Sequence, residues 1–231
     1  MASCSGNQTL SGLNPTAFDT TINGKKVALY TLTNKSGIEV CITNFGGRVV
    51  SMMVPNKDNQ MVDVVLGYDN IKQYADTVNS PSDFGATIGR YANRINKGKM
   101  TIAGKEYQLP TNNFGHCLHG GPSDATQIDD QTLELKLVSK DGDNGFPGTV
   151  TATATYKLTD DNALDCTFEA TTDKETVINM CNHSYFSLTG NPSQPGTDMV
   201  LFINADKYTP TDSTYMTTGE IKDVYGTPMD F

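Results

Sequence analysis

The chain has no tryptophan, only three histidines, and no apolar run long enough to span a bilayer. It is also short of positive charge. Against 26 Asp and Glu stand 17 Lys and Arg, for a formal net charge of −9. Nucleic acid is therefore not an expected partner, because phosphate binding needs a basic footprint. An anionic membrane surface offers no attraction either. A neutral small molecule fits this balance, although charge alone does not select one. The five cysteines, Cys4, Cys41, Cys117, Cys166 and Cys181, form no CxxC pair, which argues against a zinc ribbon or a dithiol motif. The last four read as buried free thiols. Neither HxH nor HExxH occurs, so no spacing supports a metal held by histidines. A serine hydrolase lacks its GxSxG nucleophile motif here. Helical periodicity is missing as well: no segment of helical length repeats its apolar residues every 3.6 positions.

What is present is alternation. Residues 1–20 are rich in Ser, Asn, Thr and Gly and read as a flexible tail or tether. From there the apolar residues recur at every second position. Val27 and Leu29 begin the pattern, and Ile38, Val40 and Ile42 share a face. So do Leu133, Leu135 and Leu137, then Val150 to Leu158, then Leu164, Cys166, Phe168 and Ala170. Turn residues separate the runs, as in Asn44-Phe-Gly-Gly47, Pro55-Asn-Lys-Asp-Asn59 and Asp141-Gly-Asp-Asn-Gly145. Met100–Ile102 and Tyr107–Leu109 flank Ala103-Gly104-Lys105 as a hairpin. One short stretch, 71 to 75, suits a helical turn. Period-2 alternation with one apolar face predicts antiparallel strands. The expected fold is all-β, two packed antiparallel sheets, in a single domain over residues 21–231. At 231 residues the chain is long enough for a sizeable core.

Three stretches carry candidate chemistry. Asn179 to Leu188, NMCNHSYFSL, follows a strand-like run at Thr176-Val-Ile178. It surrounds His183 with an amide (Asn182), a hydroxyl (Ser184) and two aromatic walls (Tyr185 and Phe186). A histidine can exchange a proton near neutral pH. On its own it would more often be a hydrogen-bonded structural residue at a strand end. In Gly89-Arg-Tyr-Ala-Asn-Arg-Ile95 a strand is expected to end near Tyr91, which leaves Asn93 and Arg94 at or beyond its end. Arg offers a rigid donor fork and Asn both a donor and an acceptor, a set that suits vicinal hydroxyls. The plain alternative is a surface ion pair. In Cys117-Leu-His-Gly-Gly121 two glycines after His119 allow a close backbone approach, and the plain alternative is a turn with an incidental histidine.

Together GRYANRI, LHGG, the NHSYF block and Gly226-Thr-Pro-Met-Asp-Phe231 resemble the aldose 1-epimerase (galactose mutarotase) family, and they occur in its order. The block at 179–188 departs from the family pattern at Cys181, where Thr is usual, and Ser187, where Asn is usual. The resemblance implies a galactose-mutarotase-type β-sandwich with a sugar cleft. It implies interconversion of the α and β anomers of a free hexose, galactose or glucose, with no metal and no redox cofactor. An acid protonates the ring oxygen, a base removes the anomeric proton, and the ring opens and recloses. By carry-over His183 is the acid, and His119 hydrogen-bonds the sugar and steadies charge at the ring oxygen. Asn93 and Arg94 hold hydroxyls, and Tyr185 lines the cleft. The family's base is a Glu in the last third of its chain, and no acidic residue here matches it. The chain is therefore expected to be an N-terminal two-thirds that binds hexoses weakly or not at all and is inactive alone. The rival reading is a non-catalytic carbohydrate-binding protein on the same fold.

The N-terminus carries a separate expectation. Met1-Ala-Ser-Cys-Ser-Gly6 resembles the end of a bacterial lipoprotein signal, with Cys4 as the lipidated residue and its apolar segment missing. That implies an exported, membrane-anchored or periplasmic protein. The alternative is a chance ASC in a cytoplasmic chain.

Overall fold

The structure is a computed structural model that describes residues 8–120, 124–127 and 129–231. Cys4 and the lipoprotein reading lie outside the described residues. A small hairpin, β1 (Thr20–Ile22) and β2 (Lys25–Val27), leads into a four-stranded antiparallel sheet. That sheet is β3 (Leu29–Thr33), β4 (Glu39–Thr43), β5 (Arg48–Pro55) and β6 (Met61–Asp63), in sequence order. The one α-helix among the described residues, α1 (Ile71–Ala75), is capped by Asn70, whose side chain accepts from Gln73 N. Next come β7 (Thr87–Ile95) and the hairpin β8 (Lys99–Ile102) with β9 (Lys105–Gln108). Ala103 and Gly104 turn that hairpin with φ of +49° and +77°. After β10 (Cys117–Gly120) a second four-stranded antiparallel sheet follows: β11 (Asp124–Gln127), β12 (Thr132–Ser139), β13 (Val150–Leu158) and β14 (Leu164–Thr172). Short strands end the chain: β15 (Cys181–Asn182), then β16 (Lys207–Tyr208) paired with β17 (Lys222–Asp223).

The two four-stranded sheets pack face to face. Leu32, Val40, Ile42 and Val49 from one meet Leu133, Leu135, Ala154, Tyr156 and Leu158 from the other. Each Leu, Ile or Val there contributes about 1.5–3 kcal/mol on burial, so this shared face is what holds the sandwich. The first sheet is covered on its other face too. There Leu13, Phe18, Ile71 and Tyr74 pack against Val27, Cys41 and Val50. Every residue of β4 is consequently buried.

Several expectations need correction. Residues 1–20 do not read through as a tail, since Leu13 and Phe18 are buried in that second cluster; two apolar side chains in a polar stretch suffice to dock it. Cys166 and Ala170 of β14 are exposed although they continue the alternation. β14 is the edge of its sheet, and an edge strand can keep the period without being covered. All four described cysteines are free as expected, but only Cys41 and Cys117 are buried. Thr176–Ile178 is not a strand. Pairing with β7 begins at Asn179, bridged to Tyr91, and the strand proper follows where Cys181 and Asn182 lie opposite Ile88 and Thr87. No helix among the described residues is long and apolar enough to cross a membrane.

Candidate active site

β7 is the strand that assembles the site. Its start, Thr87 and Ile88, pairs with β15, and Gly89, Arg94 and Ile95 pair with β10, all antiparallel, which makes it the centre of a three-stranded sheet. It is anchored to the sandwich through Thr87, whose N–H donates to Gly46 O and whose hydroxyl donates to Gly47 O at 2.8 Å. β10 carries His119, and β15 runs straight into His183. The sequence expectation that β7 ends near Tyr91 is wrong. The strand continues to Ile95, but through an irregularity: Leu118 lies opposite Arg94 while Gly120 lies opposite Gly89. Residues 90–93 thus bulge opposite His119, and Asn93 and His119 take left-handed backbone conformations (φ +66° and +47°).

The bulge decides what His119 can do. It takes the Asn93 N–H out of the ladder, and that donor goes to His119 Nδ1 at 3.1 Å. A nitrogen that accepts carries no proton, so the ring is neutral with its proton on Nε2. Burial acts the same way. Desolvation, the largest cause, lowers the pKa of His119; Asp83 pulls it up, and His183 and then Arg94 push it down, the net shift being downward. His119 therefore presents an N–H donor to the cleft. Its strand is steadied by Asn112, whose amide donates to Leu118 O and accepts from Leu118 N, both at 2.7 Å.

His183 is fixed by its backbone. Its N–H donates to Ala86 O at 2.8 Å, and its carbonyl accepts from Gly85 N at 3.2 Å. The ring stands edge-on to His119, with centroids 5.4 Å apart and planes at 82°, and it touches the Tyr185 ring at 5.2 Å. The neighbours expected to orient it do something else. Asn182 donates to Gly85 O and Tyr156 Oη and accepts from Ser184 N, which pins β15 to the sandwich. Ser184 Oγ is buried and has no partner among the described residues.

Arg94 is in no ion pair among the described residues. Its Nε and Nη2 both donate to Asn113 Oδ1, at 3.2 and 2.8 Å, and its guanidinium lies over the Tyr215 ring at 5.3 Å. Nη1 reaches Asn93 Oδ1 at 3.4 Å. Asn93 and Arg94 are thus linked to each other and, through the Asn93 N–H, to His119. The third histidine, His116, is structural: buried, it accepts from Lys97 N and meets Thr214 Oγ1 at 3.0 Å.

The cleft beside His119 has a volume of about 380 Å³ and includes Arg48, Asp83 and Asn112 in its lining. Sequence reading singled out neither Arg48 nor Asp83 for the site. Arg48 follows a Gly-Gly turn at the start of an apolar strand, a position where a charge stands out. It donates to Phe84 O at 2.9 Å, lies over the Tyr74 ring at 5.3 Å and has its pKa lowered by burial. Asp83 left no signal beyond being a loop acid. It joins His119 and His183 in a group whose ligand-type atoms all lie within 4.8 Å of one another. Two imidazoles and a carboxylate have the composition of a divalent-cation site. His119 opposes that use: one nitrogen accepts the Asn93 N–H and the other carries the proton, so an ion would first have to displace that hydrogen bond.

Comparison with known proteins converges on one family. The profile described as Aldose 1-epimerase matches residues 28–231. The chain is 37% identical over 217 residues to the aldose 1-epimerase of Escherichia coli K12, covering 90% of this chain and 61% of that protein. It is 37% identical over 199 residues to the galactose mutarotase of Sus scrofa, covering 84% and 57%. Among solved structures, an aldose epimerase homologue from C. elegans superposes with a TM-score of 0.80 at 29% identity, over 89% of this chain and 64% of that one. A galactose 1-epimerase from Lactobacillus acidophilus gives 0.77 at 28%, over 92% and 63%. The chain spans about three-fifths of the length of the curated relatives it matches. With the profile matched over most of its length and the two motif histidines brought within 5.4 Å of each other, the chain belongs to the aldose 1-epimerase family.

Proposed function

We propose that these residues supply the acid half and part of the sugar-binding half of an aldose 1-epimerase acting on a free hexose. The observation that carries the proposal is the approach of the two imidazoles to 5.4 Å, one of them, His119, lining a cleft of about 380 Å³. Ring opening of a hexose needs a proton delivered to the ring oxygen and one removed from the anomeric hydroxyl. His183 is the proton donor. His119, holding its proton on Nε2, donates a hydrogen bond to the ring oxygen and steadies the charge that develops there. Asn93 and Arg94 hold hydroxyls, and Tyr185, whose ring meets His183, lines a cavity that shares Arg48 and Asp83 with the cleft. The base, by family resemblance, is a Glu beyond the landmarks found here. The relatives named aldose 1-epimerase and galactose mutarotase support the reading.

Polarimetry of α-galactose tests it in two arms. The chain of 231 residues alone is expected to give mutarotation no faster than the spontaneous rate. Joined to the C-terminal third of the E. coli relative, it is expected to gain activity that His183→Asn lowers by roughly 10²–10⁴-fold, the usual worth of a positioned acid–base group. An unchanged kcat in that variant would remove His183 from the mechanism. Activity of the chain alone, lost on changing His183, would place the base within these residues, with Asp83 the carboxylate in its reach.

A further inference from the structure

Resting on that reading, we propose that Asp83 is a positioning residue of the same reaction: its carboxylate keeps His183 in the protonated form that the acid needs. The two imidazoles of the site differ in what they can hold. Nδ1 of His119 accepts the Asn93 N–H, so that ring is committed to its neutral form. No hydrogen bond occupies a ring nitrogen of His183 among the described residues; only its backbone is tied, through Ala86 O and Gly85 N. His183 is therefore the ring that can take a second proton. Its surroundings carry more positive charge than negative. Arg48 lines the cleft, Arg94 is linked to His119 through Asn93, and Tyr185 meets the His183 ring at 5.2 Å. Among the described residues, Asp83 is the one acidic side chain that lines the cleft or the cavity beside it. One of its carboxylate oxygens lies within 4.8 Å of a ring nitrogen of each histidine. A negative charge at that range favours an imidazolium, whereas guanidinium groups oppose it.

The placement of Asp83 is built into the backbone. The segment from Asp83 to Ala86 is fastened to His183 twice: Gly85 N donates to His183 O at 3.2 Å, and His183 N donates to Ala86 O at 2.8 Å. Ala86 N in turn donates to Asp83 O at 3.0 Å. The Phe84 N–H goes to Ser82 Oγ, and the Phe84 carbonyl accepts from Arg48, both at 2.9 Å. The turn that carries the carboxylate and the residue that carries the imidazole are thus set against each other before any sugar binds. Asp83 is exposed, and its side chain makes no hydrogen bond among the described residues, so it contributes little to folding and its charge is left for the site. His119 feels that charge too, but burial, His183 and Arg94 outweigh it there. The carboxylate therefore acts where a proton can be accepted, on His183. In the ring-opening step the proton passes from His183 to the ring oxygen, and Asp83 neither gains nor loses one. A neutral sugar offers no charge for Asp83 to attract, so its effect falls on the proton and not on affinity.

The experiment follows the ring C–H signal of His183 by NMR through the histidine pH range, in the purified chain and its Asp83→Asn, Asp83→Ser and Asp83→Glu variants. The signal is assigned by its loss in His183→Asn, and EDTA keeps divalent ions off the three groups. Asp83→Asn and Asp83→Ser are expected to lower the His183 midpoint by about half a unit to one unit, the size suited to an exposed and partly screened charge. Asp83→Glu is expected to restore most of it. His116, outside the group, is the internal reference and should not move. Joined to the C-terminal third of the E. coli relative, the Asp83→Asn chain is expected to lose kcat for α-galactose on the alkaline side only. Its pH profile should be displaced downward by the same amount, with KM unchanged. A His183 midpoint that stays put in both Asp83→Asn and Asp83→Ser, or an equal loss of kcat at every pH, would overturn the proposal and leave His183 as the acid. A joined chain whose kcat is unaffected by His183→Asn would overturn the function on which the proposal rests.

Discussion

Arg90 and Arg94 lie four residues apart in one strand and do opposite work. Arg90 is 5% exposed, and its guanidinium donates to the carbonyls of Ser139, Lys140, Pro147 and Gly148 and to the Ser139 hydroxyl. It ties β7 to the turn between β12 and β13 with no carboxylate partner among the described residues. Arg90→Ala would leave those carbonyls buried without donors, and a loss of about 3–5 kcal/mol in denaturant unfolding is expected. Arg94→Ala, at a half-buried site beside the cleft, should cost no more than about 1 kcal/mol of stability and should instead weaken sugar binding, read by titration. Both arginines sit in one heptapeptide, and nothing in its spelling separates them; the difference is what each side chain meets, the turn between β12 and β13 for Arg90 and Asn113 for Arg94. His119 adds a prediction in pH. Its folded pKa lies below the ordinary value, so between the two the unfolded chain binds the extra proton. Its contribution to stability is therefore complete above the unfolded pKa and is lost as pH falls from there through the folded pKa. Nitrogen-15 NMR of the ring should show the Nε2–H tautomer at pH 7 and titration below the usual histidine range. An Nδ1–H tautomer would undo the donor role given to His119.

The strands themselves were legible because alternation is a direct record of a two-faced sheet. Val40 and Ile42, Leu133 and Leu135, and Val150 to Leu158 all face the core as their period requires. The short helix at Ile71–Ala75 stands where the sequence places it. The bulge in β7 was not legible, since it depends on the register against β10, a partner more than twenty residues away. The docking of β15 was equally hidden, and it runs through Gly85. That residue has φ +68°, its carbonyl accepts from Val49 N and from the Asn182 amide, and its N–H donates to His183 O. A Cβ there would lie 2.0 Å from Val49 O. Gly85→Ala is therefore expected to destabilise by about 2–4 kcal/mol, from the forced backbone shift and the left-handed conformation together. It should also displace His183. Denaturant unfolding measures the first effect and loss of sugar-induced shifts the second; a variant with wild-type stability would contradict the contact.

At the scale of the whole molecule the sandwich buries its core between two sheets, yet one stretch keeps large apolar side chains in solvent. Val200, Leu201, Phe202 and Ile203 are 98%, 57%, 78% and 46% exposed in succession, and Leu188 is 70% exposed. Contiguous apolar surface drives association. The chain is expected to self-associate with rising concentration in size-exclusion chromatography. A double change, Val200→Ser with Phe202→Ser, is expected to shift it toward monomer, and a monodisperse parent at high concentration would refute this. The sequence by itself determined the all-β class, the strand alternation, the small helix and the family, because each is written in local period or in short ordered motifs. It also named His183, His119, Asn93, Arg94 and Tyr185 as the residues to watch. Only the tertiary structure decided how they meet. His119 received its tautomer from a backbone N–H that a bulge set free, Arg48 and Asp83 joined the cleft from strands and loops distant in sequence, and Asn182 turned from an expected partner of His183 into a clamp on the strand before it. Those outcomes depend on register and on packing between faces, and a period of two residues carries neither.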